Sequence, residues 1–145
     1  MVYILIICLI VSLDLGSKKY VAQFFREKEI NIKRIYKSLY FTLVYNEGAF
    51  LGLLSKKKLL LKFIISITIF FLYAVFIFEI LQDNDPKLKL FLSFVLGGAT
   101  GNYIDRIKND RVTDFIFFKF KGLPVFNIAD IFIFIGAILL IIKMW

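Results

Sequence analysis

The sequence predicts a membrane protein, mainly α: a bundle of four transmembrane helices with a short β-structured element. Three observations predict it. Hydrophobic residues make up 60% of the 145-residue chain and aromatic residues 18%, an apolar share well above that of soluble domains. The excess is gathered into runs that, extended as helices, approach the length needed to cross a bilayer. The polar residues at the ends of those runs fall on one face once successive spans alternate in direction. The length suits a single polytopic domain.

The elements follow in order. Met1 to Leu13 is apolar without interruption, too short to span alone, but long enough if the helix continues through Asp14, Lys18 and Lys19 to Phe25. It starts without Lys or Arg and no small-x-small cleavage pattern follows, so it reads as a first membrane helix (residues 1–25) and not as a secretory signal. Charged residues from Arg26 to Lys37 end it. Tyr36 to Tyr45 is rich in aromatic and β-branched residues and reads as one strand, and Asn46-Glu47-Gly48 as a turn. Residues 59–81 form the second helix, with Lys62 near one end able to snorkel. Gln82-Asp83-Asn84-Asp85-Pro86 is a connector, and residues 88–105 form the third helix. Arg106 to Val125 reads as a polar loop mixed with Phe, and residues 126–145 form the fourth helix.

Composition restricts the chemistry. The chain has no His, and its one Cys, Cys8, lies inside an apolar run. Histidine catalysis, disulfides and Cys-based zinc sites are excluded, and no cofactor or metal is expected. The net charge of +8 suits anionic lipid headgroups. It does not indicate nucleic acid, because the Lys and Arg residues lie between the apolar runs and form no separate basic domain.

What remains is a set of polar residues on one face. Ends of odd helices and starts of even helices share a side of the membrane, which brings Asp14 and Lys18, Asn46 and Gly48, Asp105 and Asp130 together whichever way the chain is inserted. Asp14 and Lys18 are four residues apart and form an ion pair on one helix face. Asn102 and Asp105 are three apart, as are Asn127 and Asp130, so each Asp has an amide one turn away. Gly97 and Gly101 are four apart, as are Gly98 and Asn102, which lets a neighbouring helix approach closely. Asp130 near a helix start is favoured by the helix dipole, whereas Asp105 near a helix end is not. Two adjacent carboxylates cannot both ionise cheaply and tend to share one proton, so one activates water while the other polarises a carbonyl. A Ser-Lys dyad from Ser17-Lys18 or Ser55-Lys56 is disfavoured, since adjacent residues on a helix diverge. A two-carboxylate Mg or Ca site is the other alternative. A small transporter or proton-relay subunit using the same Asp pair is the competing function, and a non-catalytic scaffold is a third.

Five motifs in order resemble the lipoprotein signal peptidase, or signal peptidase II, family: Asp14-x-x-x-Lys18, Asn46-x-Gly48-Ala49, Gly97-Gly98-Ala99-x-Gly101-Asn102-x-x-Asp105-Arg106, Val112-x-Asp114-Phe115 and Phe126-Asn127-x-Ala129-Asp130. The resemblance implies an aspartic endopeptidase of the bacterial inner membrane that cuts prolipoproteins before a diacylglyceryl-modified Cys. It implies Asp105 and Asp130 as the catalytic pair, with Asn102 and Asn127 orienting them. It assigns Asp14, Lys18 and Arg106 to the hydrogen-bond frame, Asn46 and Gly48 to the substrate approach, and Gly98 and Ala129 to support. It further implies a small extracytoplasmic β-structured cradle after the first helix, cytoplasmic termini, prolipoprotein and membrane lipid as partners, and a monomer. Leu15, Phe50-Leu51 and Asp110 depart from the usual pattern; Asp110 follows Asn109, and both tolerate positive φ, so a turn survives there. The charges conflict with this orientation. Lys18 to Lys62 holds eleven Lys and Arg, Arg106 to Lys121 five, and Gln82 to Lys89 two, so the positive-inside rule would put the site face in the cytoplasm. The resemblance is preferred over the charge count, because prolipoprotein cleavage sites are presented on the outer side.

Overall fold

In the computed structural model, the described residues are 1–48, 54–82, 85–120 and 122–145. They form four helices and a small antiparallel sheet: α1 (Val2–Lys28), β1 (Ile32–Tyr36), β2 (Leu39–Asn46), α2 (Lys58–Leu81), α3 (Pro86–Asn109), β3 (Val112–Phe118) and α4 (Ile128–Met144). Ala49 of the second motif, its neighbours Phe50 and Leu51, and Asp83-Asn84 of the connector lie outside the described residues.

Helix α3 is the central element, packing against α4, α1 and α2. It starts where the sequence supplies an Asp85 cap, whose side chain accepts from the Lys87 amide, followed by Pro in the first turn, the two residue types suited to those positions. It runs about a turn beyond the expected end, to Asn109, and stops where Asp110 turns left-handed at φ 57°. A turn does survive at Asp110, as expected. The two glycine faces separate as their spacing predicts: Gly97 lies against Ile10 of α1, and Gly98 against the Ala129 carbonyl of α4. Helix α2 is fastened to α3 by two hydroxyl pairs, Ser66 with Tyr103 at 2.8 Å and Tyr73 with Thr100 at 3.0 Å.

The β structure corrects two expectations. The strand expected at Tyr36–Tyr45 is β2, but it is one arm of a hairpin: β1, in the stretch read only as charged, pairs antiparallel with it through Lys33↔Phe41 and Arg34↔Tyr40, and the chain reverses at Lys37, whose φ is 39°. The expected polar loop contains β3, which pairs with β2 through Val44↔Asp114 and Asn46↔Val112. Phe115 and Ile116 of β3, with Val21 and Phe25 of α1, form a buried cluster beneath the sheet. Burial of that cluster, with the β-branched and aromatic content of Val112–Phe118, accounts for a strand where the charges read as a loop.

Much of the outer surface is apolar. On α2, Phe63, Phe70, Phe71 and Phe78 are all more than half exposed, an extent that an aqueous monomer does not tolerate. Among the described helices, Lys58–Leu81 alone is long and apolar enough by composition to cross a membrane, with a mean hydropathy of 2.5. α1 and α3 bury polar residues within their length, and α4 has 17 residues. The end opposite the predicted site is also more polar than expected. Lys89 and Ser93 are buried there, and Lys143 pairs with Asp85 at 2.9 Å.

Candidate functional site

The polar residues singled out in the sequence converge at one end of the bundle. Asp14 and Lys18 lie one turn apart on the inner face of α1, and Lys18 Nζ donates to Asp14 Oδ2 at 2.7 Å. Asp14 Oδ1 accepts from the Ala129 amide at 3.0 Å, binding α1 to the start of α4, where unpaired amides attract a carboxylate. The same Asp14 carboxylate lies against Gly101, where a Cβ would come within 2.5 Å of its Oδ2. Lys18 Nζ also donates to Asn102 Oδ1 at 2.8 Å and stands 3.7 Å from Asp105 Oδ2. This ammonium therefore joins α1 to α3 at two points.

Helix α4 opens with a capping box. Asn127 Oδ1 accepts from the Asp130 amide at 2.9 Å, and Asp130 Oδ2 from the Asn127 amide at 3.1 Å, a reciprocal arrangement that satisfies two otherwise orphaned donors. The other oxygen of Asp130 accepts from Asn102 Nδ2 at 2.8 Å. Asn102 thus serves Asp130 across the helix interface, and the amide beside Asp105 is Asn109, which donates to Asp105 Oδ1 at 2.6 Å. The expected pairing of Asn102 with Asp105 is corrected: three-residue spacing put both on one face, but Asn102 faces α4. The Thr113 amide fills Asp105 Oδ2 at 2.7 Å.

The carboxylate that meets Asp130's surroundings is Asp114 of β3. It is 4% exposed and accepts from Asn127 Nδ2 at 2.6 Å; the same Nδ2 donates to Asn102 Oδ1 at 3.0 Å. Burial pushes the Asp114 carboxyl up to about 7, and the negative charge of Asp130 adds to the rise. Hydrogen bonds from Asn127 and Asn46, and the charge of Lys18, oppose it. Sequence reasoning gave Asp114 no role of its own, although Val112-x-Asp114-Phe115 was visible as a motif; one Asp in an apparent loop gave no hint of burial. Asp114 also lines a cleft of about 380 Å³, together with Asn46, Gly48, Pro124 and Val125. Gly48 is fixed from two directions. Its amide donates to Asn46 Oδ1 at 3.0 Å, and its carbonyl accepts from Arg106 at 2.7 Å. Among the described residues, the Arg106 Nε–H is buried without a partner.

Four carboxylates, of Asp14, Asp105, Asp114 and Asp130, thus gather around two cations, Lys18 and Arg106. An excess of acid over base in a poorly solvated place favours retention of a proton by one carboxyl. Among the described residues, no group of three or more His, Cys, Asp or Glu is placed to hold a metal ion.

Residues 6–145 match the sequence profile of the family described as Signal peptidase (SPase) II. The chain belongs to the signal peptidase II family. It is 36% identical over 144 residues to a lipoprotein signal peptidase of Brevibacillus brevis, covering 99% of this chain and 94% of that protein. It is 43% identical over 106 residues to the lipoprotein signal peptidase of Clostridium tetani, covering 70% of this chain and 66% of the relative. Two solved bacterial membrane enzymes share the fold at TM-scores of 0.80 and 0.80, with 32% and 27% identity. The match covers 99% of this chain in both cases, and 92% and 87% of theirs. The signal peptidase II family consists of bacterial membrane proteases that remove signal peptides from lipoproteins, and membership identifies this chain as a membrane protein.

Proposed function

We propose that the protein is an aspartic endopeptidase. Set in the bacterial inner membrane as four spans, it removes the signal peptide from diacylglyceryl-modified prolipoproteins by cleaving before the lipidated Cys. Asp130 is one reacting carboxylate, as the sequence implies. Its partner in this proposal is Asp114 and not Asp105. One observation carries the choice: Asp114 is a buried carboxyl that lines a cleft, holds a proton near neutral pH and feels the charge of Asp130. Asp105 accepts from Asn109 on its own helix and from the Thr113 amide, which ties the end of α3 to the start of β3. Asp105 then acts as a positioning residue that anchors the start of β3 and so places Asp114.

The chemistry follows from a pair sharing one proton. The ionised carboxylate takes a proton from water, whose oxygen bonds to the scissile carbonyl carbon. The protonated carboxyl donates to the carbonyl oxygen, giving a neutral tetrahedral diol. On collapse the C–N bond breaks and a proton passes to the departing Cys nitrogen. The products are the signal peptide carboxylate and a lipoprotein with a free amino-terminal Cys. Asn127 and Asn102 hold the carboxylates in place, and the open Arg106 Nε–H is a donor for a substrate carbonyl. The diacylglyceryl chains stay in the bilayer while the peptide bond reaches the cleft.

Incubation with diacylglyceryl-modified prolipoprotein, with unmodified precursor as control, tests this reading. Asp130→Asn and Asp114→Asn each lower cleavage by a factor of roughly 10² to 10⁴, the usual weight of a general acid or base, without loss of the folded protein. Asp105→Asn retains measurable cleavage in the fraction that folds. Full activity of Asp130→Asn refutes the aspartic mechanism. An active Asp114→Asn alongside a folded, inactive Asp105→Asn restores the pairing first read from the sequence.

A further inference from the structure

A second and larger cleft, of about 690 Å³, lies beside the last turns of α1. It is lined by the apolar Phe25 and Leu43 and by the polar Lys19, Gln23, Arg26 and Asn31; among the described residues, neither Asp nor Glu lines it. Lys19 and Arg26 are seven residues apart on α1, two turns along one helix face, and both are exposed. Tyr45, which also lines the cleft, carries Arg111 3.6 Å over its ring. Thr42 Oγ1 donates to the Asn31 carbonyl at 2.9 Å, closing the wall between helix and sheet.

The depth of this cleft follows from α1. Its 27 residues make a helix about 40 Å long, the thickness of a bilayer with its headgroup layers. The site-face end of α1 therefore lies among headgroups. Tyr20, 69% exposed beside Lys19, is a residue type that collects at that level. Leu9 and Leu13, both exposed farther down α1, continue as an apolar surface toward the bilayer centre.

We propose that this cleft binds the phosphodiester of an anionic phospholipid, gripped by Arg26 and Lys19 while its acyl chains run down the exposed apolar surface of α1. The planar donor fork of Arg fits a phosphate bidentately, and Lys adds a point charge. The inference rests on the membrane placement of α1 and is independent of the peptidase chemistry.

The test is lipid retention by the full-length protein in detergent, read by native mass spectrometry with phosphatidylglycerol, zwitterionic phosphatidylcholine and inorganic phosphate as probes. The wild type retains phosphatidylglycerol in preference to phosphatidylcholine. Lys19→Gln/Arg26→Gln weakens phosphatidylglycerol retention by about thirtyfold, the scale expected for removing two basic residues from an anionic surface, and leaves phosphatidylcholine unchanged. Lys57→Gln/Lys108→Gln, an equal loss of charge outside the cleft, does not weaken it. Unaltered preference in the first variant, equal loss in the second, or displacement of the lipid by inorganic phosphate at matched concentration overturns the proposal. Lost lipid preference in the wild type with intact cleavage sinks this inference alone. Lost cleavage with intact preference sinks the peptidase reading alone.

Discussion

At the scale of single residues, Asp114 links structure to pH. Its carboxyl, held up at about 7 by burial and by Asp130, binds a proton in the folded state that the unfolded chain, near 3.9, has already released. The folded protein therefore carries more protons between about pH 4 and pH 7, and this group's contribution to stability falls as pH rises through that window. Asp114→Asn, which keeps a neutral group at every pH, raises the unfolding midpoint in detergent relative to wild type at pH 8, and the difference closes by pH 4. Cleavage by the wild type declines above about pH 7, as the proton needed by the pair is lost; a rate still climbing at pH 9 counts against Asp114 as its carrier. The Asp14–Lys18 pair was legible because four-residue spacing on a helix dictates contact. The partners of Asn102 were not, since Lys18, Asp130 and Asn127 lie across helix interfaces and spacing within one helix is silent about them; the bond from Asn109 to Asp105 is a four-residue contact within α3, hidden because the helix was expected to end at residue 105.

At the scale of elements, the small-residue stripe of α3 sets how close the helices come. Gly101→Ala puts a methyl group against Asp14 Oδ2, where the Cβ would sit at 2.5 Å, and that carboxylate is held in place by Lys18 and the Ala129 amide. The substitution costs roughly 1–3 kcal/mol, as overpacking does, and thermal unfolding in detergent reads it as a lowered midpoint. Gly16→Ala on α1, where a Cβ meets nothing within 4 Å, serves as the control. The four helices were readable from their apolar runs, and so was the close approach of a neighbouring helix at the α3 glycines. The hairpin was less so, because β1 is exposed along its whole length and alternation carries no signal where neither face is buried. β3 could have been found: Val112 to Phe118 has the β-branched and aromatic content of a strand, and the charges flanking it drew the reading toward a loop.

At the scale of the whole molecule, the outstanding tension is between charge and orientation. The site face carries most of the Lys and Arg, yet processing of exported lipoproteins calls for a site on the outer side. The basic cleft beside α1 offers a physical reason for those cations other than retention in the cytoplasm, since lipid phosphate attracts them on either leaflet. A topology reporter that works only outside the cytoplasm, fused after Trp145, is expected to stay silent; an active fusion reverses the proposed orientation. Phe126 is laced to β3, its amide donating to Ile116 and its carbonyl accepting from Phe115 and Ile116 at 2.7–2.8 Å. Asp114 and Asp130 are thereby held in register by hydrogen bonds between strand and helix start. The covalent path from Phe118 to Phe126 need not act as a spacer, and its length is free to vary without moving either carboxylate.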